Sequence, residues 1–175
     1  MTRLWCRRIA AGEDQSQAAR ALLGEMMERP DLEVLHEESG KPFLRDCPHI
    51  SLSHTAGAVA VAASDTPVGV DVERVRLINP GLPRRVMSDG EYDWFQRRGA
   101  RPEDFFTLWT LKESYYKYLG TGLPGIPNRT EFYLEDGLWR LKNVPQKFFV
   151  YQEKELHIAL CGDAQSVVFQ MIPKP

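Results

Sequence analysis

Five residues of this 175-residue chain could do chemistry together: Asp71 and Glu73 in Gly69-Val70-Asp71-Val72-Glu73, and Lys112, Glu113 and Lys117 in the run 109–117. Val68, Val70 and Val72 alternate with Gly69, Asp71 and Glu73, the period of a strand, which predicts valines facing a core and both carboxylates on the opposite side. Two residues along one strand puts those carboxylates about 7 Å apart. Anions that close repel each other, and a cation between or above them is the simplest way to keep both ionised. Oxygen-only ligands favour magnesium over zinc. The plain alternative is a solvated strand face, where charges are common. Gly69 tells against it, since a missing side chain lets another backbone or a ligand come close.

The elements that must position these residues follow from periodicity and punctuation. Apolar residues at helical spacing predict a helix over 15–28, stopped by Pro30. A short extended run over 32–35 leads to a turn at Ser39-Gly40-Lys41-Pro42, and strands over 50–53 and 58–63 are joined through His54-Thr55-Ala56-Gly57. Asn79-Pro80-Gly81-Leu82-Pro83 is a connector, after which Ser88 and Glu91 form the capping box of a helix carrying Trp94 and Phe95. A further helix over 103–119 ends at Gly120. The Gly- and Pro-rich stretch 121–128 reads as an ordered loop, and five strands follow, over 131–134, 138–141, 148–151, 157–161 and 167–172. Strands and helices mix without regular alternation, which favours an α+β fold.

On the 103–119 helix, Phe105, Leu108, Trp109, Tyr116 and Leu119 share one arc, with Glu113 and Lys117 at its edge. Taken alone, Glu113 and Lys117 read as a surface pair four residues apart, worth roughly a few tenths of a kcal/mol. Lys112 falls inside the apolar arc, with a stem long enough to snorkel out. Lys41 and His54 on their own read as solvated residues, and no strand-to-helix elbow makes Ser51 or Ser53 a nucleophile. The glycines of 120–125 follow a helix, where a dinucleotide loop must follow a strand.

The chain has 43% hydrophobic and 26% charged residues and a net charge of -2, which fits an ordinary globular protein and excludes broad nucleic-acid or membrane-surface binding. Its length suits one domain or two small halves sharing a core. Arg3, Arg7 and Arg8 interrupt any apolar start, and no later stretch approaches a membrane span, so a cytoplasmic protein is predicted. Cys6, Cys47 and Cys161 are widely separated and read as reduced packing residues.

Gly40-Lys41-Pro42, Ser51-Leu52-Ser53-His54, Gly69-Val70-Asp71-Val72-Glu73 and Trp109-x-x-Lys112-Glu113-x-x-x-Lys117, in that order, resemble the 4'-phosphopantetheinyl transferases. The likeness runs from Arg20 through Leu123. It is nearest to the larger single-chain, surfactin-synthetase-activating class, which serves nonribosomal peptide and polyketide synthases. The resemblance implies transfer of the 4'-phosphopantetheine arm of coenzyme A to a serine of an apo acyl or peptidyl carrier protein, with magnesium, releasing adenosine 3',5'-bisphosphate. It implies that Asp71, Glu73 and Glu113 hold the metal, that Lys117 contacts the pyrophosphate, and that Lys41, His54 and Arg20 bind coenzyme A. Glu113 would accept the serine proton. The implied fold is a pseudo-twofold pair of similar α+β halves, each an antiparallel sheet packed on a helix. The division falls near Asp65, into a shortened N-terminal half, 1–65, and a half carrying the metal site, 66–175.

The departure lies ahead of Arg20, where larger members carry basic residues for the 3'-phosphate and this sequence has Arg3, Arg7 and Arg8. Carrier domains are acidic, so Arg84, Arg85, Arg97, Arg98 and Arg101 could form a docking face, or an ordinary solvated one. A monomer is expected, with no nucleic-acid or membrane partner. Two other readings remain open: a magnesium-dependent coenzyme A pyrophosphate hydrolase, and a non-catalytic carrier-protein binding module.

Overall fold

Small residues in alternation let two sheets stack closely. The computed structural model describes residues 1–46, 49–122 and 127–174; Cys47 and positions 123–126 of the predicted 121–128 loop lie outside the described residues. The first part of the chain runs β1 (Thr2–Arg8), α1 (Gln15–Met26), β2 (Leu35–His36), β3 (Pro42–Phe43), β4 (His49–Thr55), β5 (Ala58–Ser64) and β6 (Val68–Arg74). It continues through α2 (Leu82–Val86), α3 (Asp89–Arg97), α4 (Pro102–Leu119), β7 (Phe132–Glu135), β8 (Leu138–Leu141), β9 (Lys147–Glu153), β10 (Leu156–Gly162) and β11 (Val167–Ile172).

One sheet has the order β11-β1-β5-β4 and the other β6-β10-β9. Leu4, Cys6, Ala58, Ala60 and Ala62 of the first meet Val68, Val70, Val72, Leu156, Ile158 and Leu160 of the second in a shared core. Helix α1 covers the first sheet with Leu22, Leu23 and Met26 against Ile50, Val59 and Val61. Helix α4 covers the second, where Phe105, Leu108 and Leu111 cluster with Phe148, Ala159 and Cys161. The result is α+β, a sheet backed by a helix on each side of the shared core.

Four features differ from expectation. Strand β1 was not predicted, yet it lies inside the first sheet, antiparallel to β5 and parallel to β11. The pairing with β11 covers a β1 edge that would otherwise stay open, and makes this sheet mixed where an antiparallel one was expected. Helix α2 occupies part of the predicted connector. His54 belongs to β4, so the β4–β5 turn shrinks to Ala56-Gly57, with Gly57 at φ +84. Leu119 is 45% exposed and leaves the apolar face of α4, while Phe106, Leu111 and Ser114 join it.

The first sheet ends on β4 and the second on β6, and these two edges lie side by side without a backbone ladder. Hydroxyls take its place. Ser51 Oγ accepts from the Val70 amide at 2.9 Å and Ser53 Oγ from the Val72 amide at 3.2 Å. Two edge amides of β6 are thereby satisfied from the neighbouring sheet.

Candidate functional site

Gly69 decides how close α4 comes to β6. A Cβ built there would lie 2.1 Å from the Ser114 carbonyl oxygen and 2.3 Å from the Tyr118 amide nitrogen. The helix backbone therefore rests on the strand backbone, the first of the two approaches that a glycine at this position allows. Gly120 then terminates α4 at φ +74, in the left-handed conformation that favours glycine.

This contact sets the last two turns of α4 against the outer face of β6. Lys117 Nζ donates to Asp71 Oδ1 at 2.7 Å and to Ser53 Oγ at 2.8 Å. Ser53 donates in turn to Asp71 Oδ1 at 2.8 Å. Asp71 is 5% exposed, which disposes of the solvated-face alternative for this residue. Its second oxygen, Oδ2, is buried with no hydrogen-bond partner among the described residues. Farther along the strand, Glu73 Oε2 accepts from Thr55 Oγ1 at 3.1 Å and from Arg76 Nη1 at 2.8 Å.

Glu113 lies one turn before Lys117, partly buried. Burial pushes its carboxyl up to about 7; the negative charges of Asp71 and Glu73 push the same way, while Lys117 pulls down. The three carboxylates thus share one field. Among the described residues no three His, Cys, Asp or Glu side chains stand close enough to hold an ion, and Lys117 and Arg76 serve as the cations on Asp71 and Glu73. The donor set nevertheless suits a hard divalent cation. It is oxygen-only, and the orphaned Asp71 Oδ2 is a buried acceptor that a cation would satisfy.

Beside the carboxylates opens a cleft of about 250 Å³, walled by Lys41, Pro42, Ile50, Leu52, Tyr116 and Lys117 among others. Lys41 Nζ donates to the Tyr118 carbonyl at 2.6 Å, tying the 39–42 turn to the C-terminus of α4. Its burial there lowers the pKa of the ammonium. His54 is exposed on β4 and Arg20 on α1, and neither is among the residues lining the cleft.

Lys112 does not snorkel. Its side chain and that of Glu91 are both 0% exposed and pair at 2.8 Å. Lys112 also donates to the Thr130 carbonyl at 2.6 Å, while Glu91 accepts from the amides of Ser88 at 2.8 Å and Phe132 at 2.7 Å. The capping box read from Ser88 and Glu91 is present, and its glutamate carries a second task that the motif does not reveal.

Ser53, Thr55 and Arg76 were not singled out from the sequence as site residues. The only signal was a hydroxyl at every second position of 51–55, and it acquires meaning only once β6 lies alongside. The arginines of the lead are committed elsewhere: Arg3 to the Met26 carbonyl at 2.8 Å, Arg7 to Glu25 at 2.7 Å and Arg8 to Glu155 at 2.6 Å. In the other basic group, Arg84 lies over the Tyr92 ring at 3.5 Å, and Arg98 and Arg101 pair with Asp104. Arg85 and Arg97 are exposed.

Residues 67–163 match the family model of the 4'-phosphopantetheinyl transferase superfamily. The chain is 36% identical over 119 residues to 4'-phosphopantetheinyl transferase gsp of Aneurinibacillus migulanus, covering 61% of this chain and 50% of that protein. It is 35% identical over 136 residues to 4'-phosphopantetheinyl transferase psf-1 of Bacillus pumilus, covering 69% of this chain and 58% of that one. It thus spans about half the length of the curated relatives it matches. The crystal structure of the Thermotoga maritima holo-[acyl-carrier-protein] synthase aligns with a TM-score of 0.49 at 27% identity, over 55% of this chain and 61% of that chain.

Proposed function

The chain belongs to the 4'-phosphopantetheinyl transferase superfamily, and from that premise we propose that it transfers the 4'-phosphopantetheine arm of coenzyme A to a serine of an apo carrier protein. The observation that carries this reading is that a strand and a helix brought together at Gly69 join Asp71 to Lys117, with Glu113 in the same field, and that Lys117 lines a cleft with Lys41. Phosphoryl transfer depends on positioning and charge neutralisation, and this set offers both.

In the proposed reaction the serine Oγ attacks the phosphorus that bears the pantetheine arm. The bond to the adenosine 3',5'-bisphosphate breaks, and Glu113 takes the serine proton. Lys117 would pair with the pyrophosphate oxygens and Lys41 would bind a phosphate at the cleft, while His54 and Arg20, which do not line it, are assigned to coenzyme A by family likeness alone. Asp71, Glu73 and Glu113 would hold magnesium, which when bound would neutralise the pyrophosphate. Arg85 and Arg97, exposed and without a side-chain bond among the described residues, are the members of the basic face that would meet an acidic carrier. The division at Asp65 into 1–65 and 66–175, a monomeric state and a cytoplasmic place of work belong to the same proposal. No helix among the described residues is long and apolar enough to cross a membrane.

The test is to incubate the protein with coenzyme A, magnesium and apo carrier domains of several classes and follow each carrier's intact mass. Gain of one phosphopantetheine is expected. No gain on any carrier would sink the proposal, and cleavage of coenzyme A without a carrier would point to the hydrolase reading.

A further inference from the structure

We infer that Lys117 competes with the metal for Asp71, so that the cation and the pyrophosphate ligand load together and the cation alone loads poorly. The inference rests on the reading above and concerns how its site is filled. Lys117 Nζ occupies Asp71 Oδ1 at 2.7 Å, with Ser53 Oγ at 2.8 Å completing its hold. A divalent cation drawn to Asp71 by the orphaned Oδ2 would meet this ammonium within one carboxylate's width, and like charges at that range exclude each other.

The lysine has somewhere else to go. Its side chain is 30% exposed, against 7% for Asp71, and it forms part of the cleft wall on which Lys41 also stands. A flexible four-carbon stem can carry the charge from Asp71 to an anion in that cleft without moving the helix. Before the anion arrives, Asp71 is neutralised by its own lysine. Afterwards Lys117 pairs with the anion and Asp71 is released to the cation. The apparent metal affinity of the empty protein is then lowered by the small fraction of molecules whose Lys117 has left Asp71. By linkage, the factor by which pyrophosphate tightens metal binding equals the factor by which metal tightens pyrophosphate binding.

Lys41 serves as the control. It is a cation on the same cleft, yet it bonds to the Tyr118 carbonyl and not to a carboxylate of the site. If general electrostatic repulsion governed metal entry, removing Lys41 would act like removing Lys117.

Manganese(II) is the probe, with the free ion measured by electron paramagnetic resonance over the metal-free full chain. Wild type should bind manganese weakly alone and about tenfold or more tightly with coenzyme A present. Lys117→Met should bind manganese alone at least about fivefold more tightly than wild type. Lys117→Gln, which keeps a hydrogen-bond donor for Ser53 and Asp71, should do the same and guards against a packing defect in the methionine variant. Measured with manganese alone, Lys117→Arg and Lys41→Met should stay close to wild type. Equal manganese affinity with and without coenzyme A, no tightening in either neutral variant, or equal tightening in Lys41→Met would each overturn the inference. If wild type still modifies a carrier in that case, the competition fails while the proposed activity stands. If no manganese binds with coenzyme A and no carrier gains mass, both fall.

Discussion

Glu113 carries two opposed demands on one carboxyl. Its pKa is raised to about 7 by burial beside Asp71 and Glu73, so the folded protein favours the protonated form. A raised carboxyl contributes stability that is complete below its ordinary value of 4.5 and is lost as the pH climbs through about 7. Glu113→Gln should therefore melt higher than wild type at pH 8 in metal-free buffer, with the difference closing towards pH 5, as thermal unfolding at the two pH values would show. The same substitution should lower carrier modification about 1000-fold, because the proton acceptor is gone. A functional residue whose removal stabilises the fold marks a site maintained against stability. Lys112 is the contrasting case. Replacing it with methionine leaves Glu91 buried without its cation, and Lys112→Met should cost about 3–5 kcal/mol, read from the urea midpoint. Adding Glu91→Gln to that variant should recover part of the loss. A solvated Lys112 would make the single change nearly neutral.

Among the elements, β6 and α4 depend on each other through one missing side chain. Gly69→Ala places a methyl group well inside van der Waals contact with the helix backbone, and backbone cannot swing aside as a side chain can. The helix must back away, so the variant should lose about 2 kcal/mol or more, lowering the thermal midpoint by roughly 5 °C. The parting would also draw Lys117 from Asp71, so carrier modification should fall further than the stability loss alone explains. An alanine variant with wild-type melting and turnover would refute the close contact. Much of this pairing was legible in the sequence: the alternation 68–73, the capping box at Ser88 and the stop at Gly120 are each signals carried by residues only a few positions apart. What stayed hidden has partners far along the chain. Strand β1 carries three arginines in seven residues and does not read as an inner strand until Met26, Glu25 and Glu155 are seen to receive them. Lys112 looked able to snorkel because its counter-charge, Glu91, sits on another helix. Ser51 and Ser53 could be dismissed as nucleophiles from local context, but their work on β6 depends on which strand edges meet.

Across the whole molecule, His157 ties α4 to β10 and sets an acid limit. It is 2% exposed and its Nδ1 lies 2.9 Å from Thr107 Oγ1. Burial lowers its pKa below the ordinary 6.5, and the acidic Glu103 and Asp104 restore only part of it. Below about 6.5 the unfolded chain takes up the proton first, so this contribution is intact above that pH and is lost as the pH falls towards the folded value. Glu113 gains stability over the same range, so His157 is read by difference: relative to His157→Gln, the wild-type midpoint should lose ground between pH 7 and pH 5, and identical slopes would remove His157 from the account. The seam between β4 and β6 bears on the whole molecule in another way. A backbone ladder opens only by unpairing a strand, whereas here the sheets are joined along that edge by hydroxyls, each worth about 1 kcal/mol. The cleft borders that joint through Ile50, Ser51 and Leu52 of β4 and Lys117 of α4. Movement along that edge leaves every ladder of both sheets whole, while the apolar core the sheets share, from Leu4 and Ala60 to Val70 and Ile158, keeps them together.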